Sequence, residues 1–144
     1  MFEVHIYIGV NNASPRRARK HYAYVLECHL ESGDIRTKEG FGEIDGTYHR
    51  ATLKAIAEAM GRLNQPCEVY LHTENGFVRN MMERNLEHWA ADGFVNSRGN
   101  LIANREEWVR IWGLMQDQLV FVELGKHPYS EWMEGKMKRR EQNV

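Results

Sequence analysis

Three β-patterned stretches precede the first helical one, and strand and helix alternate after them. That order is the strongest constraint on what this chain can fold into. Residues 4–8, Val-His-Ile-Tyr-Ile, alternate and are rich in β-branched and aromatic side chains, which suits a pleated strand. Residues 21–31 predict a second strand, with Tyr22, Tyr24 and Leu26 on one side. Ser32-Gly33-Asp34 is a turn signal, and residues 35–42 complete a hairpin. Thr47 can cap a helix in which Leu53, Ile56, Ala57, Met60 and Leu63 recur at helical spacing, and Gln65-Pro66 stops it. Residues 68–73 predict a strand, and 77–89 a helix ended by Asp92-Gly93. Residues 105–117 predict a helix with Trp108, Ile111, Trp112 and Met115 on one face; the tryptophans read as packing residues. Residues 119–124 predict the last strand and 128–140 a charged terminal helix. An antiparallel hairpin set followed by alternating units predicts an α/β fold: a five-stranded mixed sheet, the first three strands antiparallel, with helices on both faces.

No repeat, low-complexity segment or Pro/Gly-rich linker divides the chain, so residues 1–144 are expected to form a single domain. Its 42% hydrophobic content is enough for a sizeable core. With 19 basic and 20 acidic residues it is no overall polycation, but clustered cations can still bind nucleic acid. Arg16, Arg17, Arg19 and Lys20 form one such cluster, and arginine forks suit phosphate. Lys136, Lys138, Arg139 and Arg140 form another, in a tail (136–144) expected to fray. Cys28 and Cys67 make neither a disulfide framework nor a zinc site and read as reduced, partly buried thiols. No signal peptide and no apolar run of about 18 residues is seen. The expectation is a soluble, cytoplasmic protein with no membrane partner and no small-molecule cofactor.

Several fragments, in order and on matching elements, resemble bacterial ribonuclease HI from Val4 to Arg139. Ile6-Tyr7-Ile8-Gly9-Val10-Asn11 resembles the family's opening Ile-Tyr-Thr-Asp-Gly-Ser, and Arg50-Ala51-Thr52-Leu53 resembles the helical Arg-Met-Glu-Leu. Leu71-His72-Thr73-Glu74-Asn75-Gly76-Phe77-Val78 resembles Leu-Ser-Thr-Asp-Ser-Gln-Tyr-Val. Trp89–Phe94 followed by Asn104-Arg105-Glu106-Glu107-Trp108 resembles the family's handle, without its run of lysines. His127-Pro128-Tyr129-Ser130-Glu131-Trp132-Met133-Glu134 resembles the closing His-Pro-Glu-Asn-x-x-x-Asp.

The resemblance implies a ribonuclease H-like fold and metal-dependent hydrolysis of RNA–DNA hybrids, in which four carboxylates hold two Mg²⁺ ions about 3.5–4 Å apart. At the matching positions Gly9 replaces the strand-one Asp, which in the family bridges both metals, and Thr52 replaces the helix Glu. Glu74 and Glu134 retain carboxylates, each one methylene longer than the family's Asp. Glu3 shares the face of Gly9 but lies about 20 Å along the strand, too far to substitute. His49 and Glu131 are the neighbours that could join Glu74 and Glu134 in a rebuilt site. Restoring Asp at Gly9 and Glu at Thr52, with Asp at Glu74 and Glu134, is expected to recover ion binding. Tyr48 and His49 stand where the family has two Asn residues that help hold the RNA strand, so the resemblance makes them candidate nucleic-acid contacts, and His127 matches a His-Pro pair.

Three functions follow as expectations. The leading one is a nucleic-acid-binding domain for RNA–DNA hybrid or duplex, with a degenerate active site, at most one weak Mg²⁺ or Mn²⁺ at Glu74 and Glu134, and lost or strongly reduced hydrolysis. The second is an active metal-dependent hybrid nuclease with a non-standard ligand set. The third is a protein-interaction module on the same scaffold.

Overall fold

The computed structural model describes residues 1–142. In chain order the elements are β1 (Phe2–Val10), β2 (Ala18–His29), β3 (Ile35–Gly46), α1 (Tyr48–Met60), β4 (Cys67–Thr73), α2 (Gly76–Arg84), α3 (Leu86–Ala91), α4 (Arg105–Met115), β5 (Leu119–Leu124) and α5 (Ser130–Gln142). The five strands form one sheet in the order β3-β2-β1-β4-β5. β1, β2 and β3 pair antiparallel, whereas β1, β4 and β5 run parallel, as expected.

Strand alternation sends the two residue sets of β1 and β2 to opposite faces. Ile6 and Ile8 with Tyr22, Tyr24 and Leu26 meet Leu53 and Ile56 of α1 in the main core. Tyr7, Ala23 and Val25 face the other way and meet Met133 and Met137 of α5. Tyr22 and Tyr24 lie across β3 where Gly40 and Gly42 leave room; a Cβ at either glycine would overlap a phenol ring. The Tyr22 hydroxyl then donates to Glu58 at 2.8 Å, and Arg62 donates to the Tyr24 oxygen at 2.8 Å. Thr47 caps α1 by accepting from the Arg50 amide.

Three expectations change. The helix expected over 77–89 is interrupted at Asn85, whose φ of −118° ends α2 and starts α3. Apolar positions Met82 and Leu86 both stay buried across that joint, so core packing outweighs helical continuity. The tail expected to fray is helix as far as Gln142, because Met133 and Met137 anchor it against the sheet; positions 143–144 lie outside the described residues. Lys20, expected among the exposed cations, is fully buried, because strand alternation puts it on the side of Tyr22 and Tyr24. Its Nζ has no hydrogen-bond partner among the described residues. A buried, unsatisfied ammonium is costly, so Lys20→Met is expected to stabilise the protein by about 1–3 kcal/mol. A urea denaturation midpoint unchanged or lowered in that variant would refute this. Among the described residues no helix is long and apolar enough to cross a membrane.

Candidate functional site

β1 and β4 are parallel neighbours, with Tyr7 opposite His72, so Gly9 and Glu74 lie beyond that pair at the same end of the sheet. Following β5, the chain returns over this end. The imidazole of His127 reaches the Ile8 carbonyl through Nε2 at 2.8 Å, and its Nδ1 receives the Tyr129 amide at 3.2 Å. With both nitrogens engaged by backbone, His127 acts as a tether of α5 to β1.

A cleft of about 130 Å³ results, lined by Gly9, Glu74, Lys126, Glu131 and Glu134 among others. The three glutamates are exposed at its rim. Gly9 does not open onto an empty ligand position. A Cβ there would lie 2.8 Å from Met133 Sδ and 3.3 Å from Met133 Cβ, and Met133 is fully buried. The cleft also carries the Lys126 ammonium, which opposes bound cations.

Thr52 does not face the cleft. It is buried, donates to the Tyr48 carbonyl at 2.9 Å and accepts from Asn75 Nδ2 at 3.0 Å. Asn75 gives its other amide hydrogen to His49 Nδ1, also at 3.0 Å, and its Oδ1 caps α2 at the Val78 amide. One buried side chain thus ties α1 to the start of α2 directly behind Glu74. His49 stacks on Phe77, ring centroids 4.4 Å apart, and burial holds its pKa below the ordinary imidazole value. Tyr48 is half-buried; burial, and then the negative charge of Glu74, push its phenol pKa up. Asn75 and Met133 were not anticipated from sequence. The Asx N-cap position before α2 signals the first, whereas nothing in the one-dimensional pattern signals the second.

Of the expected rebuilt site, Glu74, Glu131 and Glu134 line one cleft, whereas His49 stacks on Phe77 and is bonded to Asn75. Among the described residues, the one group of three His, Cys, Asp or Glu with ligand atoms within 4.8 Å of each other is Glu3, His5 and His29.

The basic loop is also rearranged. Arg19 makes a two-pronged contact with Glu43, whose carboxyl this hydrogen bond holds below the usual carboxylate range. Arg17 pairs with Asp45 at 3.6 Å. Arg16 is exposed. Beside this edge α5 contributes Lys136, Arg139 and Arg140 to a second, wider cleft with His21 and Glu43. Arg140 sits over the Phe41 ring at 4.2 Å.

No protein-family model matches the chain. Ribonuclease HI of Xylella fastidiosa (strain 9a5c) is 33% identical over 79 residues, which are 55% of this chain and 53% of that protein. Ribonuclease H of Janthinobacterium sp. (strain Marseille) is 36% identical over 74 residues, 51% of each. The chain thus matches only about half the length of these relatives. Among solved structures, LC9-RNase H1, a type 1 RNase H with the type 2 active-site motif, aligns with a TM-score of 0.74 at 17% identity, covering 96% of this chain and 70% of that one. The chain has the ribonuclease H fold and resembles ribonuclease H in sequence over about half of each chain. The RNase H domain of prototype foamy virus shares this fold at a TM-score of 0.65 and 16% identity, over 96% of this chain and 91% of that domain. A foamy viral protease-reverse transcriptase solved with an RNA/DNA hybrid aligns at 0.71 and 15%, over 99% of this chain and 20% of that one. At the four positions matched to ribonuclease H carboxylates, this chain has a glycine under a methionine, a buried hydroxyl and two exposed glutamates.

Proposed function

We propose that this is a ribonuclease H-like nucleic-acid-binding domain whose hydrolysis of RNA–DNA hybrids is lost or strongly reduced. The observation that carries this reading is the packing of Met133 over Gly9. A thioether occupies the space in which a bridging carboxylate would begin, and the buried Thr52 hydroxyl is spent on Tyr48 and Asn75. A Mg²⁺ pair, which the fold family implies, does not fit these residues. Two dications would face two or three rim glutamates and the Lys126 ammonium, leaving their mutual repulsion largely unrelieved. Any Mg²⁺ or Mn²⁺ held between Glu74 and Glu134 is single and weak.

Binding, in this reading, falls to the cationic edge built by α5 and the β2–β3 side, with Tyr48 and His49 as aromatic neighbours of the cleft. Hybrid or duplex is the ligand class, held through phosphates. The alternative of an active nuclease draws on one observation, that Glu131 adds a third carboxylate to the rim of the cleft.

The deciding experiment is a time course on a labelled RNA–DNA hybrid with Mg²⁺ or Mn²⁺, beside an intact ribonuclease HI. The expected rate is on the order of 10²-fold or more below the reference. Rapid Mg²⁺-dependent hydrolysis that Glu74→Gln abolishes would overturn the proposal in favour of the active enzyme.

A further inference from the structure

α5 covers only one end of its face of the sheet. At the other end, about 20 Å along β1 from Gly9, the strands present a block of histidines and glutamates. Antiparallel register sets Glu3 directly opposite His29 and His5 directly opposite Glu27. Parallel register sets Tyr70 of β4 opposite His5, and the two rings stack with centroids 4.9 Å apart.

We propose that Glu3, His5 and His29 form a site for a late first-row divalent transition-metal ion of the zinc type. Glu3 Oε2 lies 3.2 Å from His5 Nε2 and 3.3 Å from His29 Nδ1. Ligands at 2.0–2.1 Å in a tetrahedral shell stand about 3.3 Å from one another, so two of the three edges already have the required length. Two imidazoles and one carboxylate are a donor set that suits this class of ion and not Mg²⁺.

The groups behind the ligands agree. His29 Nε2 meets Glu27 Oε1 at 3.0 Å, so a His29 protonated there leaves its Nδ1 lone pair toward Glu3. His5 Nδ1 meets His72 Nε2 at 3.0 Å, and His72 Nδ1 lies 3.4 Å from Glu123. With protons on His5 Nδ1 and His72 Nδ1, that chain ends on a carboxylate and leaves the His5 Nε2 lone pair toward Glu3. Each ligand imidazole is therefore oriented from its far nitrogen, the arrangement that fixes tautomer and raises ligand basicity at protein metal centres. The side chains of Glu3, His5 and His29 are 47%, 21% and 32% exposed, which gives the ion an entry path and leaves a fourth position open to water.

The test is calorimetric titration of Zn²⁺ into the full chain, with Mg²⁺ as the comparison ion. One Zn²⁺ per chain is expected, with no Mg²⁺ heat at this site. His29→Ala and Glu3→Gln should each weaken binding at least about 10-fold, and Glu27→Gln by about 10- to 100-fold through the ligand it orients. Glu3 is exposed, so Glu3→Gln tests the site without threatening the fold; circular dichroism of each metal-free variant verifies folding. Glu74→Gln should leave Zn²⁺ affinity unchanged, which separates this site from the cleft at the other end of β1. His88→Ala removes the exposed His88–Asp92 pair, the rival surface ligand set, and should also leave it unchanged. Absence of Zn²⁺ binding, or binding that survives both Glu3→Gln and His29→Ala, would overturn the proposal.

Discussion

Gly9→Asp is expected to destabilise the protein by about 1–3 kcal/mol and, alone, to create no Mg²⁺ site. The expectation from sequence, that ion binding returns when all four positions are restored together, therefore does not extend to Gly9 alone. The new Cβ would stand 2.8 Å from Met133 Sδ and 3.4 Å from Met137 Cε. Met133 packs with Tyr7, Ala23 and Val25, so its thioether must find another rotamer within that cluster while its Cβ gives way slightly. The carboxylate would also join the glutamates already rimming the cleft, and like charges raise its pKa and the cost of ionising it. Gly9→Ala isolates the steric part. Met133→Ala creates room at the expense of a cavity, so Gly9→Asp combined with Met133→Ala should be more stable than the sum of the single losses, the coupling expected of residues in contact. Urea denaturation read at constant m measures all four proteins, and calorimetry with Mg²⁺ reads the ion. A Gly9→Asp protein as stable as the parent and binding Mg²⁺ would show that Met133 is no obstacle.

Neutralising Lys136, Arg139 and Arg140 together is the second large effect. These cations line one cleft on the α5 edge, whereas Arg17 and Arg19 are held by Asp45 and Glu43 and Lys20 is buried. If Lys136, Arg139 and Arg140 each contact a phosphate, their loss removes about 2.7 from the slope of log affinity against log salt. A fourfold rise in salt should then cost the unaltered protein roughly 40-fold more affinity than the Lys136→Gln, Arg139→Gln, Arg140→Gln variant. Arg19→Gln should change the slope little, since its charge is already matched by Glu43. Filter binding of hybrid and duplex across a salt series checks this. Equal slopes for parent and triple variant would remove α5 from the interface.

The element order was legible because periodicity reports burial one element at a time. Val4, Ile6 and Ile8 alternate toward one face of β1, and Leu53, Ile56 and Met60 mark the core stripe of α1. Local chemistry was equally readable: the Thr47 cap works within four residues of chain. The break at Asn85 was not legible, since the spacing from Met82 to Leu86 is that of a continuous helix and the interruption depends on how both reach the same core.

The fold class, the missing carboxylates at Gly9 and Thr52 and the retained ones at Glu74 and Glu134 could all be read from residue type on a given element. Packing alone puts Met133, 124 residues away in the chain, in the space above Gly9. Packing also makes Lys20 interior and Arg139 exposed, since a cation's availability depends on the face its strand or helix turns outward and on the carboxylates a neighbouring strand brings to it. Glu3 looked too distant to matter when measured along β1 toward Gly9. The antiparallel return of β2 sets it beside His29, a pairing that register creates and linear spacing cannot express.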